Sequence, residues 1–160
     1  LPDEVIRRFA REFGGVEHRI ELVRTYRGVK FYNDSIASSP SRTIAGLRSF
    51  KQQVILIAGG YDKHIPYDVL GPEICKHVKK LFLGGTTGPK IRAAVEAAPE
   101  YAPGKPEIVD CKDFTEATLA AAKAAESGDV VLMSPASAAF DQFKNFMVRG
   151  EYYKKLIKEL

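Results

Sequence analysis

The segment "FYNDSIASSPSRT", which begins at Phe31, concentrates polar side chains that could bind a ligand. Its small polar residues occupy six of nine consecutive positions: Asn33, Asp34, Ser35, Ser38, Ser39 and Ser41. One interpretation is a turn and a helix cap, because these residue types bond to nearby backbone amides. That interpretation accounts for Ser39, which precedes Pro40, but leaves the Asn-Asp pair unexplained. The alternative is a polar wall of a binding site.

Four further segments follow predicted strands: "GGYDKHIP", "GGTTGPK", "CKDFTEA" and "SPASAAFDQF". Together with the first segment, four of these five are rich in glycine or hydroxyl groups and could bind a ligand. Paired glycines such as Gly59-Gly60 let a ligand approach the backbone closely, and Lys63 adds a cation beside them. In the last segment, free amides at a helix start would attract an anion. No GxxxxGK[ST] or GxGxxG spacing occurs in the sequence, so no fingerprint predicts nucleotide binding.

Hydrophobic periodicity predicts the elements that position these segments. The predicted helices cover Pro2–Phe13, 40–50, 67–77, 88–97 and 114–127, followed by two helical pieces separated near Arg149-Gly150. The predicted strands cover 20–25, 29–32, 54–58, 80–84, 107–110 and 129–134. This alternation predicts a single α/β domain with a Rossmann-like, mostly parallel sheet, helices on both faces and an antiparallel hairpin at one edge. Ligands of such sheets bind beyond the carboxyl ends of the strands, where the polar segments lie.

Composition excludes several classes of function. The net charge of +4 comes from scattered basic residues, so we expect no nucleic-acid partner. No apolar run reaches the roughly 20 residues that span a membrane, and we expect no membrane partner. Cys75 and Cys111 form no CxxC pair, which predicts buried free thiols in a cytoplasmic protein. The three histidines are far apart in sequence, so we expect no metal site.

The segments "GVEHRIE", "GVKFYNDS", "AGGYDK" and "SPASAAFDQFKNFMVRGEYY" together resemble the C-terminal domain of the Mur ligases, specifically of the branch that adds D-glutamate. The resemblance covers essentially all of residues 1–160. The pattern SPAxxxxDxFxxFxxRG is its most specific part. The resemblance implies a longer enzyme in which a UDP-binding domain and a central ATPase domain, both missing from this sequence, precede this one.

The resemblance also implies an activity. In this family ATP phosphorylates the carboxylate of UDP-N-acetylmuramoyl-L-alanine, and the amine of D-glutamate attacks the acyl phosphate, a step of peptidoglycan synthesis. ATP and Mg²⁺ are bound mainly by the central domain. We therefore expect this domain to contact ATP or ADP and D-glutamate, to contain no catalytic residue of its own and to be inactive in isolation.

Residue by residue, the resemblance assigns two groups of contacts. The nucleotide contacts are His18, Arg19, Asn33 and Asp34, with Asp34 accepting hydrogen bonds from the ribose. The D-glutamate contacts are Lys63, Ser38, Ser137, Phe140 and Phe146, with Lys63 pairing with a carboxylate.

The sequence departs from the family pattern at two places. Ile36 replaces a lysine and Ser38-Ser39 replaces Thr-Asn in the family's Asn-Asp-Ser-Lys-Ala-Thr-Asn, and Ala139 replaces a serine. Ser137 is a candidate source of the lost hydroxyl. Two other functions remain as alternatives. One is a stand-alone nucleotide- or anion-binding module. The other is the related domain of a folate polyglutamating ligase, which does not account for the final pattern.

Overall fold

The computed structural model describes residues 16–140 and 142–160, and the predicted helix Pro2–Phe13 lies outside them. The six strands of the described sheet are β1 (Glu21–Tyr26), β2 (Val29–Asn33), β3 (Val54–Ala58), β4 (Val78–Leu83), β5 (Glu107–Asp110) and β6 (Val130–Met133). The described residues also form five helices: α1 (Pro40–Leu47), α2 (Leu70–His77), α3 (Gly88–Glu96), α4 (Phe114–Ala124) and α5 (Phe146–Lys158).

The sheet has the strand order β1-β2-β6-β3-β4-β5. Only the β1–β2 pair is antiparallel, and the other neighbours are parallel. The hairpin turns at Arg27 and Gly28, which have φ angles of 53° and 78°, as the two central residues of a type I′ turn require. The predicted α/β fold with an antiparallel edge hairpin is confirmed.

Helices cover both faces of the sheet, as predicted. On one face, Leu47 of α1, Ile74 of α2 and Ile91 of α3 pack against alternate residues of the central strands. On the other face, Ala117 of α4 and Tyr153 of α5 pack against the intervening strand residues. Because both faces are buried, β3 and β6 are apolar throughout: all residues of both strands are buried.

Several predicted boundaries are wrong. Helix α1 ends at Leu47, three residues before the predicted end at position 50. Helix α5 runs through Arg149 and Gly150 without a break, and α2 begins at Leu70 rather than at Tyr67. Helix α4 ends at Ala124, three residues before the end that we predicted from Gly128.

The two cysteines, Cys75 and Cys111, are free thiols, but they are half-buried rather than buried. Within residues 16–140 and 142–160, no helix has the length and apolarity to cross a membrane.

Candidate functional site

The loops that follow β2, β3, β4 and β6 meet at the carboxyl ends of these strands, an edge that we call the rim. The backbone N–H of Asp34 donates to the carbonyl of Met133 at 2.8 Å, and that of Gly59 donates to the carbonyl of Pro135 at 2.9 Å. The loop after β6 therefore lies between the loop after β2 and the loop after β3, as expected because β6 lies between β2 and β3 in the sheet.

The glycines of the rim serve close contacts between loops. Gly59 has a φ of +107°, and a Cβ there would lie 1.9 Å from the carbonyl oxygen of Gly84. A Cβ on Gly60 would lie 2.5 Å from the carbonyl oxygen of Ala138. Neighbouring protein backbone therefore occupies the space that we expected a ligand to approach.

Asp34 lies directly after β2 and is 3% exposed. Its Oδ1 accepts a hydrogen bond from the N–H of Ile20 at 3.1 Å, and its Oδ2 accepts one from the Ser134 hydroxyl at 2.7 Å. Ile20 has a φ of 44°, which is rare for a β-branched residue. Burial raises the pKa of Asp34 to about 6, although the two hydrogen bonds and the charges of Arg19 and Arg42 oppose this rise. Such perturbed carboxyl groups cluster at functional sites.

The raised pKa of Asp34 makes stability depend on pH. Its pKa is about 6 in the folded chain against the ordinary value of 3.8, so the folded chain holds more protons between these values. Ionisation of Asp34 therefore costs stability as pH rises through this range, and this cost is absent below it. We expect the free energy of unfolding of Asp34→Asn, relative to that of wild type, to increase by about 2–3 kcal/mol between about pH 4 and pH 7.

Urea unfolding of both proteins at a series of pH values measures this difference. Asp68→Asn, at an exposed position, controls for the loss of one negative charge. A difference between Asp34→Asn and wild type that stays constant across the series would contradict the prediction.

His18 and Asn33 are buried and interact with each other. Asn33 Oδ1 accepts from the N–H of Ser35 at 3.1 Å, so the atom that lies 2.9 Å from His18 Nδ1 is the donor Nδ2. His18 Nδ1 is therefore an acceptor, and the ring hydrogen is on Nε2, 3.2 Å from a carboxylate oxygen of Glu17. Both side chains are thus buried and bonded within the protein at the rim, whereas Arg19 is exposed.

Arg149, in the first turn of α5, joins two rim loops while only 1% exposed. Its Nε and Nη2 donate to the hydroxyl and carbonyl of Ser35 at 2.9 and 2.7 Å, and its Nη1 donates to the carbonyl of Ser137 at 2.9 Å. We had included Arg149 in the final sequence pattern without giving it a role. The sequence does contain a signal that Arg149 is buried. It lies four residues before Tyr153 and eight before Ile157, both of them buried, and residues four apart share a helix face.

Ser137 has a hydroxyl that is bonded within the protein. It lies 2.9 Å from the Tyr67 hydroxyl and 2.8 Å from the Thr87 hydroxyl, which accepts from the N–H of Gly60 at 2.9 Å. Ser137 is 1% exposed. The hydroxyl that we assigned to D-glutamate therefore already has two protein partners.

Lys63 and Phe140 lie on two rim loops that are joined to each other. The N–H of Tyr61 donates to the carbonyl of Ala138 at 2.8 Å, and the exposed rings of Tyr61 and Phe140 meet edge to face with centroids 6.0 Å apart. Lys63 is exposed and makes no ion pair with any described residue. This part of the rim thus offers two accessible rings and, two residues after Tyr61, an ammonium that no described residue pairs with.

Phe146 and Ser38, the remaining predicted contacts, are both half-buried. The Phe146 ring meets that of His18 edge to face, with centroids 6.0 Å apart. The carbonyl of Ala37 accepts from the N–H of Ala136 at 2.9 Å, which places the Ser38 segment beside the loop after β6. The structure therefore brings the predicted residues to one edge of the sheet.

A set of possible metal ligands lies next to this edge. Glu17, His18 and Glu151 each offer a ligand atom, and these atoms lie within 4.8 Å of one another. The ammonium of Lys154 contacts Glu17 at 3.0 Å and Glu151 at 3.1 Å, and its hydrogen bond holds the pKa of Glu17 below its usual value. Because this ammonium already pairs with both carboxylates, we interpret the cluster as an ion-pair network.

Sequence comparison identifies the relatives of this chain. A model of the family described as "Mur ligase, glutamate ligase domain" matches residues 18–137. A UDP-N-acetylmuramoylalanine--D-glutamate ligase of Acetivibrio thermocellus is 57% identical over 160 residues, which is 98% of this chain and 34% of that protein. The chain thus spans about a third of the length of the curated relatives that it matches.

Solved structures confirm the fold at much lower sequence identity. A bifunctional folylpolyglutamate synthase/dihydrofolate synthase from Yersinia pestis matches 98% of this chain and 35% of its own, with a TM-score of 0.61 and 17% identity. Escherichia coli FolC in complex with ADP matches 90% of this chain and 32% of its own, with a TM-score of 0.58 and 14% identity. From the family match, which covers most of the sequence, the chain belongs to the Mur ligase family.

Proposed function

We propose that this chain is the domain of an ATP-dependent ligase that contacts the amino acid and the nucleotide while D-glutamate is added to UDP-N-acetylmuramoyl-L-alanine. The observation that carries the proposal is the 57% identity to a D-glutamate ligase across 98% of the chain. A folate polyglutamating ligase has weaker support, because the folate-enzyme structures reported above share at most 17% identity with the chain. The reaction uses ATP in peptidoglycan synthesis, and we place it in the cytoplasm.

The D-glutamate contacts fit the charge of that substrate. Glutamate carries two carboxylates at neutral pH, and its amine must stay free to attack. Lys63 is an exposed ammonium without an ion-pair partner among the described residues, so it can form a charge-assisted hydrogen bond with one carboxylate. Phe140, which is 63% exposed, and Phe146 supply apolar surface for the carbon chain, and Ser38 supplies a hydroxyl.

The nucleotide contacts require an acceptor for the ribose and a cation for the phosphates. Each oxygen of Asp34 accepts one hydrogen bond from the protein, and a carboxylate oxygen has a second lone pair for a ribose hydroxyl. Arg19 supplies the cation, while His18 and Asn33 hold the backbone that carries both residues. FolC, about a third of which has this fold, was solved in complex with ADP, and this supports a nucleotide-dependent reaction.

Mg²⁺ does not fit the carboxylates of the described rim. Both oxygens of Asp34 have protein partners, and Asp62 pairs with Lys90 and accepts from the N–H of His64. Both carboxylates also lie outside Glu17, His18 and Glu151, the one group of three or more possible metal ligands among the described residues, so neither forms the octahedral oxygen site that Mg²⁺ requires. We therefore place Mg²⁺, and with it the phosphoryl chemistry, on the domains that precede this one in the family, and we expect the isolated chain to be inactive.

The role of Lys63 is tested by titrating the isotopically labelled chain with D-glutamate and L-glutamate while its amide resonances are followed. We expect D-glutamate to shift resonances around Ser38, Lys63 and Phe140 more than L-glutamate does. Because the substitution removes a charge-assisted contact, Lys63→Ala should weaken this response by about tenfold. Lys112→Ala, an exposed lysine that follows β5 at the same edge, should leave the response unchanged. Equal responses to both enantiomers, or equal behaviour of the two variants, would contradict the proposal.

A further inference from the structure

Two arginines at the rim have no side-chain partner among the residues that the structure describes. Of the seven arginines in the described part of the chain, Arg19 and Arg42 make no side-chain hydrogen bond, ion pair or ring contact with described residues. The other five bond to carbonyls or carboxylates or stack on a ring: Arg24, Arg27, Arg48, Arg92 and Arg149.

Arg19 and Arg42 both lie next to Asp34. Arg19 immediately precedes Ile20, whose N–H bonds to Asp34 at 3.1 Å. Arg42, in the first turn of α1, is four residues before Gly46 and so shares its face. A Cβ on Gly46 would lie 2.8 Å from Asp34 Oδ2, so this face of the helix packs on Asp34. The charges of both arginines also act against the rise in the Asp34 pKa.

Asp34 does not serve as the counterion for these arginines. It is 3% exposed, and its two oxygens are bonded to Ile20 and Ser134, whereas both arginines are exposed. Two guanidinium groups near one carboxylate leave an excess positive charge at the surface. Such a pair attracts an oxyanion, since each planar guanidinium can donate two parallel hydrogen bonds.

We propose that Arg19 and Arg42 form a two-guanidinium site for a phosphoryl group, which makes Arg42 a nucleotide-binding residue of this domain. The inference rests on the proposed function, which places the ribose at Asp34 and the phosphates at the same end of the rim. Two guanidinium groups match the higher charge of a phosphoryl group better than that of one carboxylate. Lys63, on the loop after β3, remains the cation for the amino acid.

The inference is tested with inorganic pyrophosphate as the probe, with the Nε–H resonances of the arginines and the backbone amides around α1 as the readout. We expect pyrophosphate to shift the resonances of Arg19 and Arg42. Because one of two guanidinium groups is lost, Arg42→Ala should weaken binding about tenfold, and Arg42→Lys should recover part of the affinity. Arg48→Ala is the matched control, because Arg48 caps the same helix and is already paired with Glu73.

Two outcomes would overturn the inference. One is the absence of any shift at Arg19 and Arg42, and the other is equal pyrophosphate affinity in Arg42→Ala and Arg48→Ala. Displacement of pyrophosphate by sodium glutamate at matched ionic strength would reassign the site to a carboxylate and overturn the phosphoryl assignment. The D-glutamate titration of Lys63→Ala decides the proposed function separately, so the two failures are distinguishable.

Discussion

Replacing Arg149 with alanine should lower the free energy of unfolding by about 3–5 kcal/mol, because three hydrogen bonds from a charged group and the packing of a long buried side chain are lost together. The side chain is 1% exposed and donates to Ser35 and to the carbonyl of Ser137. Its removal leaves buried acceptors without donors and a cavity between two rim loops, and both effects are costly. Urea denaturation followed by circular dichroism measures the loss.

Two variants define what Arg149 contributes. Arg48→Ala removes an exposed ion pair with Glu73 and should cost at most about 1 kcal/mol. Arg149→Lys keeps a positive charge but loses the planar fork that reaches both loops, so we expect it to recover only part of the stability. If Arg149→Ala were no less stable than Arg48→Ala, the bridging role of Arg149 would be wrong.

Replacing Gly150 with alanine should lower the free energy of unfolding by about 1–3 kcal/mol, even though alanine favours a helix by up to about 1 kcal/mol. A Cβ at Gly150 would lie 2.1 Å from His18 Nδ1 and 3.1 Å from Asn33 Nδ2. The His18 ring is buried and bonded to Asn33, so it can move only by breaking that hydrogen bond. Urea unfolding reports the loss, and the resonances of the His18 ring report the displacement.

Gly88→Ala is the matched control for Gly150→Ala. Gly88 is also a buried helical glycine, at the first position of α3, but a Cβ there would make only an ordinary contact, 3.5 Å from Leu83 Cβ. We expect this substitution to be neutral or stabilising by up to about 1 kcal/mol. An unchanged His18 ring signal in Gly150→Ala would show that the predicted clash does not occur.

Gly150 also shows which structural features a local sequence pattern can predict and which it cannot. The apolar run VILIA predicted β3 to the residue, because a strand buried on both faces of a sheet depends on its own side chains. The predicted break at Arg149-Gly150 is wrong because glycine is required there by a contact with His18, which is distant in sequence. A local pattern cannot distinguish a glycine that ends a helix from one that admits a neighbouring side chain.

The candidate site also has some features that the sequence predicts and others that it does not. The rule that ligands bind at the carboxyl ends of parallel strands correctly predicted that the polar segments share one edge. The internal partners of His18 and Ser137 could not be predicted, because each depends on contacts between distant loops. Arg42 was not predicted either, since an exposed arginine in a helix resembles any solvated residue until its position beside Asp34 is known.

The most direct test of the central claim is a hybrid enzyme. This chain would replace the matching third of the Acetivibrio thermocellus ligase, and ATP-dependent addition of D-glutamate to UDP-N-acetylmuramoyl-L-alanine would be measured. We predict turnover within about tenfold of the parent enzyme, a barrier change below about 1.4 kcal/mol, with D-glutamate strongly preferred over L-glutamate. A folded hybrid that hydrolyses or binds ATP but does not add D-glutamate would contradict the account.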